Sequence, residues 1–262
     1  MTIVQEAFPQ NFVGVIDSGV GGLTILQKLQ QQWSCCNFVY VADEAYCPYG
    51  TKSFEQIFSR VCVLVDYLQN AGAAAVVLAC NTASVFADSL RAKFSIPIYD
   101  VIVPTCKLVA SVTNTKRVAL LATNVTVNSG VYSNVLGGMG IDVVPFACSN
   151  FVPFVERNLV ETPDCQQAVS RALSELPRCN VDTVVLGCTH FPLLKNKIAP
   201  FANGAQIVEC CTDFQPSFSC FNHDPQTLYF TTCIDKNATW GGKNCNFDLP
   251  MLENISFAQL DL

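Results

Sequence analysis

Two cysteines in this chain stand in matched surroundings. Residues 76 to 82 read Val-Val-Leu-Ala-Cys-Asn-Thr, and residues 184 to 190 read Val-Val-Leu-Gly-Cys-Thr-His. Each phrase is an unbroken apolar run, the pattern of a parallel strand buried on both faces, ending in a thiol and then small polar residues. Those polar residues are expected to open a helix, whose unpaired N–H groups and dipole favour an anion and lower the pKa of a nearby thiol. If the two halves of the chain face each other, Cys80 and Cys188 flank whatever carboxylate lies between them. Two acid/base thiols on opposite sides of one carbon is the arrangement that inverts a stereocentre.

Other polar residues fall at the same places in the pattern. Asp17-Ser18 follows a first strand at Phe12 to Ile16, and Asp43 follows a second at Phe38 to Ala42. Cys80-Asn81-Thr82 follows a third at Ala74 to Ala79. Further on, Thr123 and Thr126 follow Val118 to Ala122, and Cys188-Thr189-His190 follows Thr183 to Gly187, taken as the last strand of that half. In open α/β sheets ligands bind beyond the carboxyl ends of the strands, so all these groups converge by topology.

Each residue also has a plainer reading. A single strand-end cysteine is usually a small buried hydrophobe, and it is the repetition that favours chemistry here. Asp17, Ser18, Thr82 and Thr189 are good helix caps, a role compatible with binding because the same N–H groups can hold a carboxylate. His190 gains weight only from its place beside Cys188. The Gly19-Val20-Gly21 turn partly resembles a dinucleotide-binding fingerprint, but Thr24 replaces the third glycine and Asp17-Ser18 precedes the turn. Cys47-Pro48-Tyr49-Gly50 reads as a tight turn that also offers backbone N–H groups and the Tyr49 hydroxyl to an anion.

The elements that must position these groups alternate. Strands at Phe12, Phe38, Ala74 and Ile96 are separated by helical patterns, the clearest from Ser53 to about Gln69 with Phe54, Ile57, Phe58, Val61, Leu64, Val65 and Leu68 at three- and four-residue spacing. A second set follows, with strands at Val118, Ile141 and Thr183 and a helical stretch from Asp164 to Leu176. The fold class expected is α/β, as two pseudo-symmetric lobes with mainly parallel sheets and the site in the cleft between them. The expected division is residues 1–104 with 212–262 as the first lobe, the tail returning through strands at Thr227 to Thr232 and Asn254 to Leu260, and residues 105–211 as the second.

Composition narrows the function classes. The 262 residues are 50% hydrophobic and 14% charged, with no apolar run of 18 or more, which describes a globular chain rather than a membrane-spanning or disordered one. A net charge of -6 without a basic cluster excludes the electrostatic footprint of nucleic-acid binding. Fifteen cysteines, an odd number in a long chain whose first residues lack a signal-peptide pattern, point to free thiols in the cytoplasm. No C-x-x-C pair or matching His spacing calls for a metal.

With these residues in place, the chain resembles the cofactor-independent aspartate/glutamate racemase superfamily, and within it the glutamate racemases. The resemblance runs from about residue 12 to 212. It is carried by Ile-Asp-Ser-Gly-Val-Gly-Gly-Leu at 16 to 23, Ala-Asp-Glu-Ala-Tyr-Cys-Pro-Tyr-Gly at 42 to 50, Ala-Cys-Asn-Thr-Ala-Ser at 79 to 84, Phe-Val-Pro-Phe-Val-Glu at 151 to 156, and Gly-Cys-Thr-His-Phe-Pro-Leu-Leu at 187 to 194. It implies that Cys80 and Cys188 are the acid/base pair, Cys80 serving the D enantiomer and Cys188 the L enantiomer, with Asp17 and His190 assisting. It implies one carboxylate-binding set in Ser18, Pro48, Tyr49 and Gly50, and a set for the amino-acid head in Asn81, Thr82 and Thr189. Asp43, Thr123, Thr126 and Glu156 fall on further motif positions. Two departures affect loop geometry: Cys148-Ser149 stands where the family commonly has Cys-Pro, and Ala122-Thr123 where Gly-Thr is usual.

The activity implied is interconversion of L- and D-glutamate without pyridoxal phosphate or metal, supplying D-glutamate for peptidoglycan in a bacterial cytoplasm. Glutamate is then the partner, and a homodimer the assembly that such families form. About eleven residues precede the first strand, an expectation against the precursor-activated control that accompanies longer N-terminal extensions. An aspartate or other amino-acid racemase would use the same two thiols. A related decarboxylase needs only one, a nicotinamide enzyme rests on the glycine turn alone, and a non-catalytic amino-acid-binding protein needs neither thiol.

Overall fold

The computed structural model describes residues 8–214, 222, 224–232, 257–260 and 262. Two parallel sheets organise it. In the first, β1 (Phe12–Asp17) lies between β2 (Asn37–Ala42) and β3 (Ala75–Leu78), with β4 (Ile98–Asp100) beyond β3. In the second, β5 (Arg117–Ala122) lies between β6 (Asp142–Ala147) and β7 (Thr183–Gly187), with β8 (Gln206–Val208) beyond β7. The orders 2-1-3-4 and 6-5-7-8 are the same pattern, so the duplication expected from the cysteine phrases is a duplication of topology. Thus β3, which leads to Cys80, corresponds to β7, which leads to Cys188. The second lobe carries one strand that the sequence reading does not contain: β8 follows β7, so Cys188 does not end the lobe's last strand.

The first sheet is longer at one edge. There β9 (Thr227–Thr231) pairs in parallel with β2, and β10 (Phe257–Gln259) with β9. These correspond to the tail runs expected at Thr227 to Thr232 and Asn254 to Leu260, of which residues 254–256 lie outside the described residues.

Alternation along β1 shows why the sheet is buried on both faces. Val13 and Val15 join the cluster that includes Leu23, Ile25, Leu26 and Leu29 around α1 (Leu23–Gln32). Phe12 and Ile16 join the opposite cluster with Ile57, Val61, Leu64, Val65 and Leu68 of α2 (Phe54–Asn70). Gly14 on that face lets α2 approach closely, since a Cβ there would lie 2.7 Å from Leu68 Cδ1. The start of α2 is fixed by a capping box: Gln56 N–H donates to Ser53 Oγ at 3.2 Å, and Ser53 N–H to Gln56 Oε1 at 3.0 Å. The first lobe's further helices are α3 (Asn81–Ser84) and α4 (Ala87–Lys93).

The second sheet is clad in the same way. One face packs with Cys165, Val169 and Leu173 of α9 (Pro163–Leu173). The other packs with Ile102, Cys106 and Val109 of α5 (Ile102–Val112) and with Tyr132 and Leu136 of α7 (Val131–Gly137). Three short helices complete this half: α6 (Asn124–Ser129) after β5, α8 (Val152–Glu156) after β6, and α10 (Lys195–Ile198) after β7. No helix among the described residues is long and apolar enough to cross a membrane.

Candidate active site

All strands within each sheet run parallel, so their carboxyl ends share one edge, and those two edges meet. Thr189 Oγ1, just past β7, donates to Asp17 Oδ2 at the end of β1 at 3.1 Å. Val20 N–H donates to Glu156 Oε1 of α8 at 3.3 Å. The hydroxyls of Thr82 and Thr123 lie 2.9 Å apart, with Thr126 Oγ1 3.3 Å from Thr82 and 3.0 Å from Thr123. Polar groups at the ends of β1, β3, β5 and β7 therefore meet at the junction between the lobes.

The glycine turn after β1 is explained by this junction. A Cβ on Gly21 would sit 2.6 Å from Thr189 Oγ1 and 2.8 Å from His190 Nδ1, and one on Gly19 would collide with the Glu156 carboxylate. The turn makes room for the second lobe, so the partial dinucleotide resemblance has a packing origin. Gly50 does likewise from the other side, where a Cβ would lie 2.8 Å from Thr123 Cβ.

The two thiols have different neighbours. Cys188 Sγ lies 3.7 Å from His190 Nδ1, and His190 Nε2 hydrogen-bonds Glu156 Oε1. Burial opposes charge on this imidazole, yet its hydrogen bonds to Cys188 and Glu156, together with their charges, raise its pKa well above the usual histidine value. A protonated His190 donates from both ring nitrogens, one towards the Cys188 sulfur and one to Glu156. Cys80 Sγ instead lies 3.9 Å from Ser18 Oγ. Burial pushes the Cys80 thiol up to about 12, the Asp17 charge adds to this, and the Ala83 N–H opposes it.

That direction corrects the expectation that a helix N-terminus would lower the pKa of Cys80. The helix it caps, α3, has only four residues, and the desolvation of a thiol that is 5% exposed exceeds what one N–H returns. Asp17 shows the same dominance. Burial raises it to about 6, against the His190 charge and the Gly19 N–H, which donates to Asp17 Oδ1 at 3.0 Å. Asp17 does not cap α1, whose N-cap is Gly22.

Asp43 has a different setting. Its fully buried carboxylate takes Arg60 Nη2 at 2.6 Å and Nε at 3.0 and 3.1 Å, Tyr49 Oη at 2.6 Å and Thr232 Oγ1 at 2.8 Å. Tyr49 thus commits its hydroxyl to Asp43, and the Pro48-Tyr49-Gly50 segment is left with its backbone to offer an anion. Ser149, one of the departures from the family pattern, accepts from Asn124 N–H at 2.7 Å and lies 3.4 Å from the Gly50 carbonyl, tying the two lobes together. Arg60, Tyr132 and Cys210 join the site through tertiary contacts. Tyr132 and Cys210 both hold Asn81, through its Oδ1 at 2.7 Å and its Nδ2 at 3.0 Å. No local motif marks these three in the sequence. A surface pocket of about 430 Å³ beside Lys28, Lys195 and Glu209 reaches Cys210 but is lined by none of the candidate site residues read from the sequence.

The comparisons with known proteins agree with this architecture. The sequence profile of the Asp/Glu/hydantoin racemase family matches residues 13–212. The glutamate racemase of Aquifex aeolicus is 36% identical over 200 residues, covering 75% of this chain and 78% of that protein. Among solved structures, a glutamate racemase isoform from Bacillus anthracis superposes with a TM-score of 0.81 at 29% identity, covering 96% of this chain and 98% of that one. The glutamate racemase of Francisella tularensis in complex with D-glutamate does so at 0.79 and 25% identity, with 96% and 98% covered. By sequence across both lobes and by topology, the chain belongs to the Asp/Glu/hydantoin racemase family.

Proposed function

We propose that this chain is a glutamate racemase, interconverting L- and D-glutamate by a cofactor-independent mechanism with Cys80 and Cys188 as the opposed acid and base. The observation that carries the reading is the pair of thiols at topologically equivalent strand ends, β3 and β7, on two edges that face each other. One thiolate takes the Cα proton as the C–H electron pair passes to carbon and the α-carboxylate. The thiol opposite then gives its proton to the other face of that carbon. The product leaves with inverted configuration, and the charge state of the two sulfurs has exchanged.

In this reading Cys80 acts on the D enantiomer and Cys188 on the L enantiomer. Buried Cys80 holds its proton, while His190, held by Glu156, stabilises negative charge on Cys188. Asn81, Thr82 and Thr189 hold the amino-acid head, and charge developing on its carboxylate is stabilised by donors fixed in a cleft that excludes water. Ser18 with the Pro48-Tyr49-Gly50 backbone takes the side-chain carboxylate. Asp17 acts on Cys80 through its charge and accepts from Thr189 next to Cys188, Asp43 anchors the Tyr49 segment, and the Thr123–Thr126 hydroxyls brace Thr82. The D-glutamate formed would supply peptidoglycan synthesis. Twelve free cysteines among the described residues suit a reducing cytoplasm.

The test is polarimetry of L-glutamate, L-aspartate and L-alanine incubated with metal-stripped protein. Loss of optical rotation with glutamate alone is expected. Rotation lost only with aspartate would reassign the substrate, and activity that EDTA abolishes and a metal restores would overturn the mechanism.

A further inference from the structure

Asn81 is where three parts of the chain meet. Its backbone opens α3 directly after Cys80, and its side chain is buried. Tyr132, from α7 of the second lobe, donates its hydroxyl to Asn81 Oδ1 at 2.7 Å. Asn81 Nδ2 donates to Cys210 Sγ at 3.0 Å, and Cys210 lies in the segment that follows β8. The Cys210 thiol donates in turn to the Leu186 carbonyl in β7 at 3.3 Å.

The chain of donors has only one direction. A primary amide can exchange its oxygen and nitrogen by a half-turn at little cost in packing, and both a phenol and a thiol can donate or accept. A backbone carbonyl can only accept. Because the Leu186 carbonyl takes the Cys210 S–H, the sulfur is left as an acceptor, and the amide must present Nδ2 to it. Oδ1 then faces Tyr132, which must donate. Burial supports both assignments, holding the Cys210 thiol up at about 12 and the Tyr132 phenol well above its usual value, so both keep their protons at neutral pH. One N–H of Nδ2 remains without a protein acceptor among the described residues.

We propose that Tyr132 and Cys210 are positioning residues that lock the Asn81 amide in one orientation, so that the second N–H of Nδ2 is the donor offered to the substrate's α-carboxylate. The inference rests on the glutamate racemase reading, in which Asn81 holds the amino-acid head. It makes the hydrogen-bonding polarity of a binding residue in the first lobe depend on a phenol, a thiol and a strand carbonyl outside that lobe. A thiol and a hydroxyl are the side chains that can accept from Asn81 while donating to Leu186. Cys210→Ser therefore preserves the relay, and Cys210→Ala ends it.

The experiment is steady-state kinetics of the full chain with L- and D-glutamate for Cys210→Ala, Cys210→Ser and Tyr132→Phe, with the melting temperature of each. Losing one hydrogen bond that orients a binding donor is expected to raise KM about tenfold in Cys210→Ala and Tyr132→Phe while kcat stays within about threefold. Cys210→Ser should recover most of the change. A KM within about twofold of wild type in both disrupting variants, or a Cys210→Ser enzyme no better than Cys210→Ala, would overturn the proposal. Should a variant fail to fold, the wild-type chain supplies a second reading through the two side-chain amide protons of Asn81 in nitrogen-proton NMR. Saturating D-glutamate should move one strongly and leave the sulfur-bonded one nearly in place, and equal or absent shifts would refute the orientation. Wild-type protein without glutamate racemisation would instead remove the underlying functional reading.

Discussion

Replacing Glu156 by Gln tests the Cys188 side of the site with little change in shape. A glutamine oxygen can still accept from His190 Nε2 and Val20 N–H, so the geometry is retained while the negative charge is lost. A hydrogen bond to a charged partner is worth about 1.5–3 kcal/mol against about 1 for a neutral one, and both side chains are largely buried, so little of this is screened. At 1.36 kcal/mol per unit, the His190 pKa should fall by about one unit, with burial free to push it further. The sign follows from linkage. A histidine whose folded pKa lies above its unfolded value adds stability that is fully present below about 6.5 and is lost as pH rises through the folded value. Glu156→Gln should therefore shrink that contribution and move the alkaline limb of kcat/KM to lower pH by about one unit. The assay is a pH-rate profile in both directions with NMR titration of the His190 ring. Because enantiomers have equal free energy in water, kcat/KM must fall by the same factor for L- and D-glutamate, which checks the data internally. A His190 titration and an alkaline limb both unmoved by the substitution would refute the idea that Glu156 maintains the imidazolium.

Three further outcomes are expected. Cys80→Ala and Cys188→Ala should each depress both directions of racemisation equally, by at least about 10²–10⁴-fold, and wild-type enzyme in D₂O should place deuterium on product while recovered substrate stays protiated at early times. Deuterium entering substrate and product together would point to a single base. Arg60→Met should cost about 3–5 kcal/mol in urea denaturation, because it leaves the fully buried Asp43 carboxylate without its cation, and a loss below about 1 kcal/mol would show that Tyr49 and Thr232 suffice. Asp17 titrates near 3.8 unfolded and about 6 folded, so stability falls as pH rises through that window, by about 3 kcal/mol above it. Asp17→Asn, which forfeits one of two accepted hydrogen bonds, should therefore be more stable than wild type by about 1–2 kcal/mol at pH 8 yet impaired in racemisation, with the gain fading towards pH 4. A less stable variant at pH 8 would show that Asp17 is not held at a cost.

What the sequence revealed follows from how each signal is encoded. β1, β2, β3 and β7 are buried along their whole length, so continuous apolar runs mark them without tertiary information. α2 carries both a buried stripe and its own capping box, and its limits are local properties. β8 has three residues, one of them exposed, and exists because β7 pairs with it. Arg60 lies on the buried side of α2, where a charge is intelligible only once the Asp43 carboxylate is known to meet it. Tyr132 and Cys210 are unremarkable residues of a helix and of the segment after β8 until the lobes come together around Asn81. The direction of the Cys80 shift is not local for the same reason: the helix terminus is written in the next four residues, whereas desolvation depends on the whole fold.

The duplication also explains a feature that symmetry alone would not produce. Equivalent strands deliver the two sulfurs, but the residue two places beyond Cys188 is His190, whereas the corresponding position after Cys80 is Thr82. His190, held by Glu156, therefore faces one sulfur, while Ser18 and the charge of the buried Asp17 face the other, where burial makes charge costly. A two-base racemase requires one sulfur to be protonated while the other is not, since two thiolates could not donate and two thiols could not abstract. Equal free energies of the enantiomers do not demand equal bases. They demand only that the path from L to D be the reverse of the path from D to L, so the proton lost from one sulfur's side is gained on the other's. A scaffold built twice supplies opposed positions, and divergence of the residues that follow each strand gives the two sulfurs different neighbours.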